Sequence, residues 1–330
     1  MKRTAYLLII PLFLASCSGK RVNYDRGIIP PVPVNFSAVN SIYDDYNSDL
    51  RITWAEKWFT LIFSTNRQSS GNDFDFITYL GSIHFDLIDG IFTMDAGPRD
   101  NALLEAVNSN SNEFGPFFTL DLPYYHHWKS GGDGRFFYSS DINGSLDIFC
   151  CDYDFGEAIF QPAGDPFPID ALNTGFDEGY LTIYSAGQTN PETALFMSDR
   201  DGSYDIYRAI GEEGMMISES SVVTVSKVTS LSCSADDKCP YISGNMMVFT
   251  SDREGGFGGF DLWYSLYDGQ EWSAPVNLGS DINTEYDEYR PVVVSAEEEG
   301  FLNDLMVFSS NRPGGKGGFD LYYAGIPRRK

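Results

Sequence analysis

Three histidines, five cysteines and 47 acidic residues hold most of the chemistry open to this 330-residue chain. His126 and His127 are adjacent, so on a strand they face apart, and with His84 they lack the spacing of a zinc pair. No Gly-x-Ser-x-Gly elbow for a nucleophilic serine occurs. The acids are the richer resource. Asp44-Asp45, Glu113, Asp177-Glu178 and Asp287-Glu288 recur at comparable places, three of them beside Tyr43, Phe176 and Tyr286. A glycosidase needs two particular carboxylates, whereas these recur with a repeat, so the sequence reads as non-catalytic. Asp44, Asp45, Asp177, Glu178, Tyr286, Asp287 and Glu288 instead form a candidate binding face. Two readings stay open for it. The acids are solvated while Asn40, Asn173 and Asn283 cap turns, or they bind calcium, a basic peptide or a partner protein, with the aromatics serving a protein interface or a sugar platform. No resident cofactor is expected beyond that calcium.

The cysteines speak to compartment. Lys2 and Arg3, an apolar run from Tyr6 to Leu14, then Ala15-Ser16-Cys17 make the layout of a secretory leader. A cysteine at the cut site makes it resemble a bacterial lipoprotein signal, which implies lipidation of Cys17. The expected organisation is a signal peptide over 1–16, an anchored linker over 17–32 and one folded unit over 33–330. Cys233 and Cys239 bracket a five-residue loop and are expected to form a disulfide in an oxidising compartment. Cys150 and Cys151, adjacent on a strand, read as free thiols.

The elements that must position these groups follow from repetition. Leu61–Arg67, Phe136–Asp141, Leu195–Arg200, Met247–Arg253 and Met306–Arg312 share one pattern. Each runs through a Gly-containing loop into Phe74-Asp75-Phe76, Leu146-Asp147-Ile148, Tyr204-Asp205-Ile206, Phe260-Asp261-Leu262 or Phe319-Asp320-Leu321. Continuous apolar runs suit strands buried on both faces, which radially packed blades supply. Pro33–Phe36 matches Pro275–Leu278, while the chain stops after the third strand of its last unit. The N-terminal strand should therefore complete the last blade and close the ring. The predicted fold is an all-β, five-bladed propeller of four-stranded blades. Its recurring Arg67, Arg200, Arg253 and Arg312 precede Asp75, Asp205, Asp261 and Asp320 by 8, 5, 8 and 8 residues. They are expected to fix the hairpins through Arg–carboxylate or Asp–backbone bonds. Ile142 stands where the second unit should have its arginine.

The Ser-Asp/Asn-Arg…Gly-Gly-Phe-Asp-Leu-Tyr pattern resembles the WD40-like repeat of the TolB family, as in envelope proteins of Bacteroidota. That resemblance implies a cell-envelope role. Many relatives add an OmpA-like domain, and this chain ends in Arg328-Arg329-Lys330 without one. A formal charge of −25 disfavours nucleic acid and anionic headgroups, leaving the acyl anchor as the membrane link. The sequence reading is thus a scaffolding lipoprotein that presents an acidic face to an envelope-assembly or secretion partner. Lys20-Arg21 after the cysteine favour the periplasmic side of the outer membrane over the cell surface. A glycan-binding propeller is the alternative, and a glycosidase is the third possibility.

Overall fold

The structure, a computed structural model, describes residues 27–86, 88–119, 134–155, 160–185 and 191–329. Cys17, Lys20, Arg21, His126 and His127 lie outside the described residues. Five antiparallel sheets form the blades of a propeller. The closing strand β1 (Val34–Asn35) comes first. Blade one follows with β2 (Asp45–Thr53), β3 (Trp58–Thr65), β4 (Asp75–Phe85) and β5 (Phe92–Arg99). A six-residue helix, α1 (Ala102–Val107), leads to blade two: β6 (Glu113–Phe118), β7 (Gly134–Ser140) and β8 (Asp147–Phe155). The outer position of that blade is shared by β9 (Phe160–Pro162) and β10 (Phe167–Pro168), both paired with β8. Blade three holds β11 (Glu178–Ser185), β12 (Thr193–Ser198), β13 (Asp205–Ile210) and β14 (Thr224–Lys227). Blade four holds β15 (Asp237–Ser243), β16 (Met246–Ser251), β17 (Asp261–Leu266) and β18 (Val276–Asn277). The last blade has β19 (Glu288–Val294), β20 (Asn303–Ser310) and β21 (Asp320–Pro327).

β1 supplies that blade's fourth strand, with Val34 opposite Tyr323 and Asn35 opposite Tyr322. Closure by the N-terminal strand is therefore as the sequence predicts. Among the described residues, the 75-residue interval between the first two hairpins holds no sixth blade. It is absorbed by the long β4–β5 hairpin and by α1, whose Leu103, Leu104 and Val107 are buried. The second strands β7, β12, β16 and β20 are buried at every residue. That two-sided burial explains why their sequences run apolar without alternation.

Each innermost strand starts with a fully buried acid: Asp45, Glu113, Glu178, Asp237 and Glu288. Arg67, Arg200, Arg253 and Arg312 pair with four of these acids. The arginines do not reach the third-strand aspartates, which corrects the expected Arg–carboxylate pairing. Spacing along the chain suggested the nearer acid, whereas the turn folds the guanidinium back onto the innermost strand. Each arginine also bonds the hydroxyl two residues before it and the carbonyl of Val39, Leu172, Leu231 or Ile282. The guanidiniums lie over Phe63, Phe196, Phe249 and Phe308. The other expected form, Asp–backbone bonding, occurs in two hairpins: Asp261 accepts from the Phe257 and Gly258 amides, and Asp320 from Lys316 and Gly317, while Asp205 pairs with Lys227.

Candidate functional site

The two ends of the propeller differ in what their polar groups do. At one end lie the strand-opening acids, the crossovers between blades and the turns between second and third strands. The residues of the expected binding face sit here. Asp45, Glu178 and Glu288 are fully buried and arginine-paired. Asp44, Asp177 and Asp287 stitch neighbouring blades. They accept from the backbone amides of Phe319, Leu146 and Phe260, and Asp177 also takes the Tyr204 hydroxyl. Asn40, Asn173 and Asn283 clamp Leu321, Ile148 and Leu262 through both amide atoms. Tyr286 and Phe176 remain partly to half exposed. The acids at this end hold the ring together, and among the described residues no group of three His, Cys, Asp or Glu is placed to hold a metal ion.

Blade two breaks the pattern at this end. Ile142, half exposed, replaces the arginine. Glu113 is left with hydroxyl and amide partners alone: Ser109 Oγ at 2.6 Å, Ser140 Oγ at 3.2 Å and the Ser109 amide at 3.3 Å. Burial without a counter-charge pushes its carboxyl up to about 7.

Along the axis, every innermost strand carries a bulge. Its residue adopts positive φ in each case: Asn47, Gly115, Tyr180, Cys239 and Arg290. Only the glycine adopts that conformation without steric cost. Gly115 is also required by space, since a Cβ there would come within 2.7 Å of the Tyr180 ring. Hydroxyls of the neighbouring blade hold the bulges. Ser309, Ser139 and Thr250 accept from the amides of Asn47, Tyr180 and Arg290. Arg290 is among the largest fully buried side chains. It donates to the Pro116 and Pro240 carbonyls and lies over the Tyr180 and Tyr241 rings.

Two residues beyond the bulge the five strands present Asp49, Phe117, Thr182, Tyr241 and Val292. Asp49 is the only carboxylate in this layer. It accepts the Phe118 amide at 2.9 Å. Burial raises its pKa, opposed by that hydrogen bond and by the charges of Arg290 and Arg51. Further toward the second end, half-buried Arg51 donates to the Tyr153 hydroxyl, which donates to the Thr119 carbonyl. Thr119 is tied to Arg135, and two guanidinium nitrogens of Arg135 grip the carboxylate of Glu192 at 2.6 and 2.9 Å. Among the described residues, four of the eight buried side chains that have unpartnered polar atoms lie on the innermost strands near this layer: Asn47, Ser48, Thr182 and Arg290. A buried polar group left unpaired costs about 1–3 kcal/mol, and such costs gather where a protein does something besides fold.

Repetition along the sequence does not reveal this cluster, because Asp49, Arg51 and Arg290 do not repeat. Aligning the five innermost strands position by position would have exposed Asp49 against Phe, Thr, Tyr and Val. The expected disulfide is also corrected: Cys233 is exposed, Cys239 is buried, and both are free thiols. Cys239 occupies a bulge position and belongs to a core cluster with Tyr180 and Met197. Burial pushes its thiol up to about 12. Cys150 and Cys151 are buried thiols outside any disulfide.

No family model matches the chain, and no curated protein does. Solved structures do match. A beta-fructofuranosidase from Schwanniomyces occidentalis, complexed with fructosyl-erythritol, aligns at a TM-score of 0.57 and 12% identity, covering 88% of this chain and 57% of its own. An exo-beta-1,3-galactanase from Clostridium thermocellum aligns at 0.50 and 10% identity, covering 90% and 63%. The xyloglucan PUL GH43B protein of Bacteroides ovatus aligns at 0.50 and 13%, covering 90% and 55%. This chain thus spans under three fifths of the fructofuranosidase's length. At such identities the likeness is one of fold. It corrects the expected kinship nevertheless: these neighbours are named as a fructofuranosidase, a galactanase and a GH43 protein, none as a TolB-type protein, and the reading of an envelope scaffold loses the resemblance on which it rested.

Proposed function

We propose that this propeller is a glycan-processing enzyme that acts on glycosidic bonds at the Asp49 end of its axis. The observation that carries the reading is Asp49 itself, an unrepeated carboxylate in the axial layer, buried and biased toward its protonated form. A carboxylic acid kept neutral can donate a proton to a departing glycosidic oxygen. Glycoside cleavage requires a second carboxylate across the bond. Glu192, fixed by Arg135 at the same end, is the one we assign to that role. Arg51 adds a guanidinium donor suited to sugar hydroxyls. The unpartnered axial groups, and solved neighbours whose names describe action on fructosyl, galactan and xyloglucan substrates, support the same reading.

The test is product analysis over fructans, β-1,3-galactan, xyloglucan oligosaccharides and 4-nitrophenyl furanosides and pyranosides. Hydrolysis or glycosyl transfer on one class, lost in Asp49→Asn at unchanged circular dichroism, is the expected result. A folded protein that transforms none of them overturns the proposal.

A further inference from the structure

The helix α1 and the long β4–β5 hairpin, which no other blade has among the described residues, border a cleft of about 540 Å³ where blade one leads toward blade two. Its size is that of a small-molecule site, which commonly runs about 300–1,000 Å³. Tyr79, Pro98 and Leu104 give it an apolar surface, and Gln68, Arg99, Asp100 and Glu105 stand around it. The last four side chains are exposed and bond to no other described residue. The cleft is separate from the axial cluster, with which it shares no residue.

We infer that this cleft is a saccharide-binding site that holds a neutral glycan, at a place distinct from the axial cluster. The inference rests on the glycan-processing reading for the identity of the ligand. The chemistry argues for a neutral sugar. Arg99 and Gln68 donate, and Asp100, Glu105 and Gln68 accept, which matches hydroxyls that do both. The C–H face of a pyranose or furanose ring would lie against Tyr79 and Pro98. A phosphate or acidic sugar would meet two carboxylates on a chain of charge −25. A purely apolar ligand would bury four charged or amide groups without partners.

The experiment measures binding of kestose, galactobiose and a xyloglucan heptasaccharide by saturation-transfer NMR and calorimetry. It is done in the Asp49→Asn background so that turnover does not consume the ligand. Arg99→Ala with Glu105→Ala should weaken the bound sugar by about tenfold or more, the scale of one lost charged hydrogen bond. With Asp49 restored, the same pair should leave hydrolysis of a small aryl glycoside unchanged. Unaltered affinity in the double variant overturns the subsite alone. Absence of both binding and turnover overturns it together with the reading beneath it. Binding lost in the double variant supports the subsite even if no substrate is turned over.

Discussion

Replacing Glu113 with glutamine should change how stability depends on pH, in a direction fixed by its missing arginine. Glu113 is fully buried and lacks the cation that its four counterparts have. Its pKa rises from 4.5 to about 7 in the folded chain. The folded state therefore holds a proton that the unfolded state has released between those values. Stability from this group is fully present below pH 4.5 and is lost as pH rises through 7. The shift is equivalent to about 3 kcal/mol at most. Glu113→Gln keeps the shape of the protonated acid and removes the titration. Its melting temperature should lie within a few degrees of the parent's near pH 5 and exceed it by several degrees more at pH 8, since about 1 kcal/mol moves a large domain by about 2–4 °C. Ile142→Arg should give a similar gain at pH 8 by restoring the missing partner, its guanidinium lying over Tyr138 as its counterparts lie over Phe63 and Phe196. The assay is differential scanning fluorimetry of parent and variants from pH 5 to 8, read as differences so that the other carboxylates cancel. A parent–variant difference that is flat with pH would refute the argument.

Further outcomes follow from the same geometry. Arg312→Ala leaves Glu288 buried without its cation and should cost about 3 kcal/mol or more, seen as a lower denaturation midpoint; a change no larger than that of an exposed arginine would remove the hairpin role. Apart from Cys17, thiol titration of the native protein should find one fast cysteine, Cys233, while Cys150, Cys151 and Cys239 react only in denaturant. Failure of Cys233 to react, with one thiol pair missing after unfolding under non-reducing conditions, would instead establish the disulfide.

The sequence made the ring legible because each blade must solve the same packing problem with the same residues. Hairpins such as Phe308–Asp320 repeat in type and spacing, and Val34-Asn35 could be matched to Val276-Asn277 by identity. The arginine partners were less legible, since Arg67 is 8 residues from Asp75 but reaches Asp45 only after the blade is built. The axial bulges left no compositional trace. Asn47, Tyr180, Cys239 and Arg290 share positive φ but no chemistry. Asp49 was hidden for a related reason: it sits in a run of acids and small polar residues, and only the strand register turns it toward the axis. The long interval before blade two signalled something extra, and its physical content is α1 with the cleft beside it.

The most direct test of the account is a comparison of glycoside turnover by the parent, Asp49→Asn and Asp49→Glu, each verified as folded. The account predicts measurable turnover in the parent, near-complete loss in the asparagine variant and partial retention in the glutamate variant, where an acid remains to donate the proton. Turnover that survives unchanged in Asp49→Asn would contradict it, and the catalytic carboxylates would have to be sought away from the axis.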